Sequence, residues 1–365
     1  MEPFVFPSID IPMDASDHYV YSFDAEMINN IDMHAEMTNF FDEYGYIVFS
    51  NVLQNDQIEL TKNAMWEILE TMNPGFKHDD VSTWHHYKSA GKYGLSMRGP
   101  CFHPILVENR QNVLLAKIFS LLINVPLSDV MVSHDRYTIY RATITGASDS
   151  NTEINDFKTG NKNIHLDMNP WWHAESSQDI INGRDALLYN DSQDFIKENN
   201  LVVKSMGMHI QAVINILDNE AIDGGTLIVP ASHKHMHKWA ESNLRLRKPL
   251  PFLTFRDNAV EELLLSRAHR IPMKAGSVLL WNQSVFHGTC PNESNNCRMA
   301  QFIKGFSRSL SFKSKEVNQT ETGVYSTPQL QRRAHLLQES LTNSNALDAV
   351  SSLGKSLFAL DAIES

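Results

Sequence analysis

His165 and Asp167 stand two residues apart, and His287 and Arg298 follow far downstream. Two imidazoles and one carboxylate are the three protein ligands of a facial-triad iron site, which leaves the other coordination positions open. In an extended strand, residues i and i+2 project from one face. His165 and Asp167 would then meet one metal together while Leu166 points away. The third ligand has to come from another strand. Residues 277–282, Ser-Val-Leu-Leu-Trp-Asn, read as such a strand, with His287 just past its end. Arg298 adds a fixed cation whose planar fork suits a carboxylate. Together these residues point to oxygen chemistry at a metal that also binds a small dicarboxylate cosubstrate.

Those residues need a scaffold. After Pro126 the runs 130–143, 202–217, 226–229, 277–281 and 299–306 read as strands with irregular spacing and no alternating helices. That pattern argues against a βαβ sheet and for an antiparallel sandwich or barrel. Asp223-Gly224-Gly225 reads as a hairpin-type turn feeding 226–229. Upstream, helices are predicted over 33–44, over 55–71 with Asn55-Asp56 as the cap, and over 111–124, with a short β-prone run at 46–49. Residues 1–32 read as an extended, partly ordered arm, 174–200 as a polar insertion, and 328–341 and 345–360 as two terminal helices. The division that follows is an N-terminal arm over 1–32, a catalytic domain over 33–307 and a helical extension over 308–365 packed on that domain.

Composition narrows the class. The 365 residues carry 31 Lys and Arg against 43 Asp and Glu, a formal charge of −12 without any basic run, so no nucleic-acid partner is expected. No apolar run reaches membrane-spanning length. Three cysteines, Cys101, Cys290 and Cys297, give neither a disulfide framework nor a zinc pair and fit a reducing, cytoplasmic location. Nothing in the sequence fixes an oligomeric state.

The order of motifs adds to this. His165-Leu-Asp167 is followed by Pro230-Ala-Ser-His-Lys234, Gly276-Ser-Val-Leu279, His287-Gly-Thr289 and, eleven residues past His287, Arg298. Phe41-Asp-Glu-Tyr-Gly-Tyr-Ile-Val48 opens the series. In these segments the chain resembles the phytanoyl-CoA dioxygenase family of iron(II)/2-oxoglutarate oxygenases, over roughly residues 33–307. Ala231 and Ser277 depart from the family's usual Gly and Asp, and neither is a ligand position. The resemblance implies a double-stranded β-helix, a cupin-like jelly roll with flanking helices. It implies Fe(II) on His165, Asp167 and His287, and 2-oxoglutarate held by Arg298 and Thr289, with dioxygen as the other cosubstrate. It places further cosubstrate contacts on the strand before His165, where Arg136, Tyr137 and Tyr140 are the candidates. The implied reaction is hydroxylation of a small organic molecule with release of succinate and carbon dioxide. Related halogenases carry a small residue where Asp167 stands, so halogenation is not expected.

Several other residues admit both a functional and a structural role. Trp171 and Trp172 read either as one wall of a substrate pocket or as core packing. Trp84, His85, His86, Lys88, Lys92 and Arg98 lie in the irregular stretch 74–110, a potential lid in which Arg98 is the candidate substrate-anion contact and most of the rest are structural. His233, His235 and His237 read as a solvated loop rather than a second metal site, and Cys290 and Cys297 as small packing residues. Two rival functions share the fold. A cupin-like metal enzyme that does not use 2-oxoglutarate is disfavoured by Arg298 and Thr289. A catalytically inactive scaffold has no need of His165, Asp167, His287 and Arg298 together.

Overall fold

The computed structural model describes residues 4–88, 94, 101–145, 152–153, 157–160, 162–171, 210–248, 252–255, 258–308 and 327–363. The first half of the chain runs β1 (Phe23–Asp24), α1 (His34–Tyr44), β2 (Tyr46–Ser50), α2 (Asn55–Met72), α3 (Pro104–Arg110) and α4 (Val113–Ile123). Strands then dominate: β3 (Val130–Val132), β4 (Tyr137–Tyr140), β5 (Ile144–Thr145), β6 (Thr152–Glu153), β7 (Asn163–Leu166), β8 (Ile210–Asn215) and β9 (Gly225–Ile228). After α5 (Met236–Ser242) come β10 (Leu253–Thr254), α6 (Asn258–Leu265), β11 (His269–Arg270), β12 (Val278–Asn282), β13 (His287–Cys290) and β14 (Arg298–Ser307). The helices α7 (Thr327–Asn343) and α8 (Ser352–Leu357) follow.

The larger sheet has the order β1-β2-β12-β8-β14-β3, with β4 also on β14, and the smaller has the order β10-β7-β13-β9-β11. All pairings within them are antiparallel except β1 with β2. The two sheets form the jelly roll. Strand parity sorts the residues. On β8 and β12, Ala212, Ile214, Val278 and Leu280 face the helices and join the main core. Val213, Leu279 and Trp281 face the other way, into a separate cluster between the sheets. Helix α4 covers the outer face. Its cap Asn112 accepts hydrogen bonds from the backbone N–H groups of Leu114 and Leu115, and its apolar stripe buries Leu115, Ile118 and Phe119. Phe119 seats over Gly305, where a Cβ would lie 2.2 Å from the ring. Burying such a ring stabilises the fold by about 1.5–3 kcal/mol.

Several expectations change. Asp223-Gly224-Gly225 is not a hairpin. β8 and β9 lie in different sheets, so this turn carries the chain across the roll, with φ of +78° at Gly224 and +107° at Gly225. The run 130–143 is two strands, interrupted where Asp135 Oδ1 accepts the N–H of Arg136, and both pair with the ten-residue β14. Helix α2 is capped by Gln54, one residue ahead of the expected cap, with Gln57 closing the capping box. The segment 345–360 is not one helix. α8 stands between two short 3₁₀ turns, with Asn345 and Ala359 in the left-handed region. The arm is more ordered than expected: Phe6 packs edge-on to Phe286 at 5.5 Å, and β1 pairs with β2. At the other end, Arg333 is buried and donates to the carbonyl of Val132 on β3, a 2.8 Å bond that ties α7 to the larger sheet. The insertion 174–200 and the start of the run 202–217 lie outside the described residues.

Candidate metal centre

β7 alternates half-buried and buried residues, so Ile164 and Leu166 enter the core outside the smaller sheet and His165 turns inward. His287 lies just past the end of β12, as expected, and begins β13, directly opposite His165. That register brings the two rings to 4.4 Å between centroids. Asp167 joins them, with Oδ1 3.9 Å from His165 Nε2. One nitrogen from each histidine and one Asp167 oxygen all lie within 4.8 Å of one another, a group that could hold a metal ion. Among the described residues it is the only such group, so His233, His235 and His237 do not build a second one. His233 is not solvated as expected: it is half-buried, and its ring meets the Asp42 carbonyl at 3.0 Å.

The ring orientations suit ligation. His287 is buried, and its Nδ1 donates to the Val285 carbonyl at 2.9 Å, which leaves the Nε2 lone pair free. Burial pushes its pKa down to about 3, with His165 adding to that and Asp167 opposing, so the imidazole stays neutral. His165 Nδ1 faces Asn163 Oδ1 at 3.3 Å, and the amide nitrogen of Asn163 donates to the Thr289 carbonyl at 3.4 Å. Gly288 lets the ligand strands close up, since a Cβ there would lie 1.7 Å from the Asn163 carbonyl oxygen. Asp167 Oδ2 accepts from Gln211 Nε2 at 2.7 Å and from Lys304 Nζ at 3.4 Å.

A cavity of about 300 Å³ connects this group with Arg298. Arg298 opens β14, is 2% exposed, and lies with its guanidinium carbon 5.0 Å from the Tyr140 ring centroid. Gly225 makes room for it: a Cβ there would sit 2.4 Å from Arg298 Nε. Its one hydrogen bond among the described residues is a long 3.5 Å contact to Thr226 Oγ1, and its Nε has none. Burial lowers its pKa, with Tyr140 and Cys290 opposing. Arg270, pushed down to about 10 chiefly by burial, is spent on the carbonyls of Ile271 and Gly224 and does not line the cavity, whereas Arg298 does, together with Arg136 and Lys304. A buried guanidinium without a carboxylate partner is costly, and it fits an anion that enters the cavity. Thr289 and Tyr140 line the same end and share a 2.5 Å hydroxyl contact, and burial raises the Tyr140 pKa.

The structure also sorts the remaining candidates. Tyr137 is displaced from the site by parity: three residues from Tyr140 on β4, it faces the helices and belongs to the main core. Arg136, on the inner parity, lines the cavity. Trp171 is a core residue. It is 2% exposed, its indole N–H donates to the Ala240 carbonyl at 2.9 Å, and it packs on Trp239. Trp172, Arg98 and Lys92 lie outside the described residues. Trp84 is structural, its indole donating to the Lys77 carbonyl. Cys290 is buried, with its thiol toward the Gly225 carbonyl. Sequence reasoning missed Asn163, Gln211, Thr226, Trp281 and Lys304, which all line the cavity. The available signal was a polar side chain at inner parity in a largely buried strand, as Gln211 and Lys304 are.

A jelly roll whose inner face gathers two imidazoles, a carboxylate and a buried guanidinium has a site that could hold a metal ion, and it supports a function of the dioxygenase type. The chain belongs to the phytanoyl-CoA dioxygenase family, whose model matches residues 41–300. A Dictyostelium discoideum protein named "Putative phytanoyl-CoA dioxygenase" is 33% identical over 272 residues, covering 73% of this chain and 74% of that protein. Among solved structures, a hypothetical protein of Escherichia coli matches at a TM-score of 0.58 with 13% identity, over 94% of this chain and 85% of its own. No helix of the described residues is long and apolar enough to cross a membrane.

Proposed function

We propose that this protein is an Fe(II)- and 2-oxoglutarate-dependent oxygenase that hydroxylates a small organic molecule and releases succinate and carbon dioxide. His165, Asp167 and His287 hold the metal, and the donor set is that of a facial triad with open positions. When bound, the iron supplies dioxygen activation coupled to decarboxylation of the cosubstrate. Arg298 takes the far carboxylate of 2-oxoglutarate in a charge-assisted pair, with Thr289 and Tyr140 beside it. Asp167 remains a carboxylate ligand, which favours hydroxylation over halogenation. Phe255, Trp281 and Phe302 supply apolar wall on the same cavity and exclude water from a bound substrate. The reading includes a cytoplasmic location, to which three unpaired cysteines are suited.

The observation that carries the proposal is the presence, in one cavity, of three converging ligand atoms and a buried guanidinium without an acid partner among the described residues. The test is an anaerobic titration of 2-oxoglutarate into Fe(II)-loaded protein, followed by the visible charge-transfer band of the chelate. A saturable band is expected, absent in His165→Ala and reached only at higher cosubstrate concentration in Arg298→Ala. Iron binding without a band would transfer the site to a metal enzyme that does not use 2-oxoglutarate. Absence of iron binding would leave a scaffold.

A further inference from the structure

Asp167 differs from the two histidines in one respect: it has two oxygens, and a metal can take either or both. The larger sheet reaches across the roll to one of them. Gln211 on β8 and Lys304 on β14 are direct cross-strand partners, both at inner parity. Gln211 Nε2 donates to Asp167 Oδ2 at 2.7 Å, and Lys304 Nζ stands 3.4 Å from the same oxygen. The Lys304 side chain is only 12% exposed, so water screens this ion pair weakly. The amide of Gln211 is itself oriented, because Trp281 Nε1 on the neighbouring β12 donates to Gln211 Oε1 at 3.1 Å. A flipped amide would set an oxygen against a carboxylate and an N–H against an N–H. The oxygen turned toward His165 is the other one, Oδ1.

We infer that Trp281, Gln211 and Lys304 form a positioning clamp that occupies Asp167 Oδ2, leaves Oδ1 as the single metal-binding oxygen, and so keeps the open coordination positions open. The inference rests on the metal site proposed above. It assigns these three residues no contact with the metal. The chain from an indole N–H through an amide to a carboxylate fixes the ligand's rotation, as outer-sphere partners of metal ligands generally do. Lys304 adds a second, positively charged donor on Oδ2, which helps to hold that oxygen turned away from the metal position. Trp281 also packs against His287, tilted at 5.1 Å between ring centroids, so its two roles have to be separated by the choice of variant.

The experiment measures Co(II) affinity of the full chain in competition with a chromophoric chelator, which reads the site without turnover. Gln211→Leu and Lys304→Met are each expected to weaken Co(II) binding by about 10- to 100-fold, the usual effect of losing an outer-sphere partner. Trp281→Phe keeps an aromatic ring against His287 and removes only the N–H, and it should weaken binding by a smaller factor. In a Gln211→Leu background, Trp281→Phe should cause no further loss, because its effect passes through the amide. A packing role would instead lower the stability of the metal-free protein and leave the two losses additive, and additive losses overturn the proposal. Should Gln211→Leu or Lys304→Met fail to fold, the conservative Trp281→Phe still decides: wild-type affinity there overturns the clamp. If wild-type protein itself does not bind Co(II), the metal reading fails. If wild-type binds and His165→Ala does not, while Gln211→Leu and Lys304→Met bind as wild-type, only the clamp fails.

Discussion

Arg298→Met should move the stability of the metal-free protein and its affinity for 2-oxoglutarate in opposite directions. Arg298 is 2% exposed, its Nε lacks a hydrogen bond, and its one contact to Thr226 is 3.5 Å long. A buried polar group left unsatisfied costs on the order of 1–3 kcal/mol, and a charged one more. Methionine fills a similar volume without that cost, at the loss of a cation–π contact with Tyr140 worth roughly 1–2 kcal/mol. The metal-free variant should therefore be as stable as wild-type or more stable by about 1 kcal/mol. Binding goes the other way. A carboxylate paired with this guanidinium at about 4 Å, at an effective dielectric constant near 20, gains about 4 kcal/mol. Part of that is the relief of desolvation already counted, so the expected loss is roughly 3 kcal/mol, or about a 100-fold rise in Kd.

Denaturant unfolding of the metal-free protein gives the first quantity, and an anaerobic 2-oxoglutarate titration of the iron-loaded protein gives the second. A variant that loses more than about 1 kcal/mol of stability while keeping cosubstrate affinity would refute the reasoning. That result would mean that the guanidinium is a structural group, satisfied in a way its surroundings do not suggest.

Three further outcomes follow from the same geometry. Tyr140→Phe removes the hydroxyl that meets Thr289 and should weaken 2-oxoglutarate binding by about 1 kcal/mol, whereas Tyr137→Phe, on the opposite face of β4, should leave it unchanged; the two titrations test the strand parity directly. Asp135 has its pKa pushed up to about 6 by burial, from 3.8, with Lys304 and Arg136 opposing. Between those values the folded protein holds more protons than the unfolded chain, so stability falls as pH rises through that window, by about 3 kcal/mol in all. Asp135→Asn should therefore be close to neutral at pH 3.5 and stabilising at pH 7, and equal effects at both would contradict the burial argument. Ala231 sits in the left-handed region at φ 55°, where an L side chain costs roughly 1–2 kcal/mol. After the entropy that glycine loses on folding, Ala231→Gly should stabilise by about 0.5–1 kcal/mol in equilibrium unfolding.

What could be read from the sequence is what short-range patterns encode. The i, i+2 spacing of His165 and Asp167 carries much of its geometry: strand alternation turns His165 inward, and Asp167 joins it from the bend just past the end of β7. The strand runs were legible from their apolar content, and the helix α4 from its periodicity. What failed depended on partners distant in the chain. Asp223-Gly224-Gly225 has the composition of a hairpin turn, and only the pairing of β9 with β13 and β11, instead of β8, makes it a crossing between sheets. Likewise 130–143 reads as one strand, because the break at Asp135 is made by that residue's own side chain.

The site divides along the same line, and the division explains which of its residues escaped notice. His165, Asp167, His287, Thr289 and Arg298 sit in recognisable motifs. Gln211 and Lys304 sit in none, and 93 residues separate them, yet the β8–β14 register sets them side by side across from Asp167. Each places in a largely buried strand a polar side chain that would be costly to bury alone. Three buried or half-buried groups that are costly singly become inexpensive together: a carboxylate, an amide and an ammonium satisfy one another. The mismatch between a polar residue and its largely buried strand is thus itself information. It says that a partner exists on the same inner face, and once parity is assigned the candidates for that partner in this chain are few. Trp171 and Tyr137 carry no such mismatch, since an aromatic ring is at home in the core as well as on a cavity wall and its sequence neighbourhood does not say which.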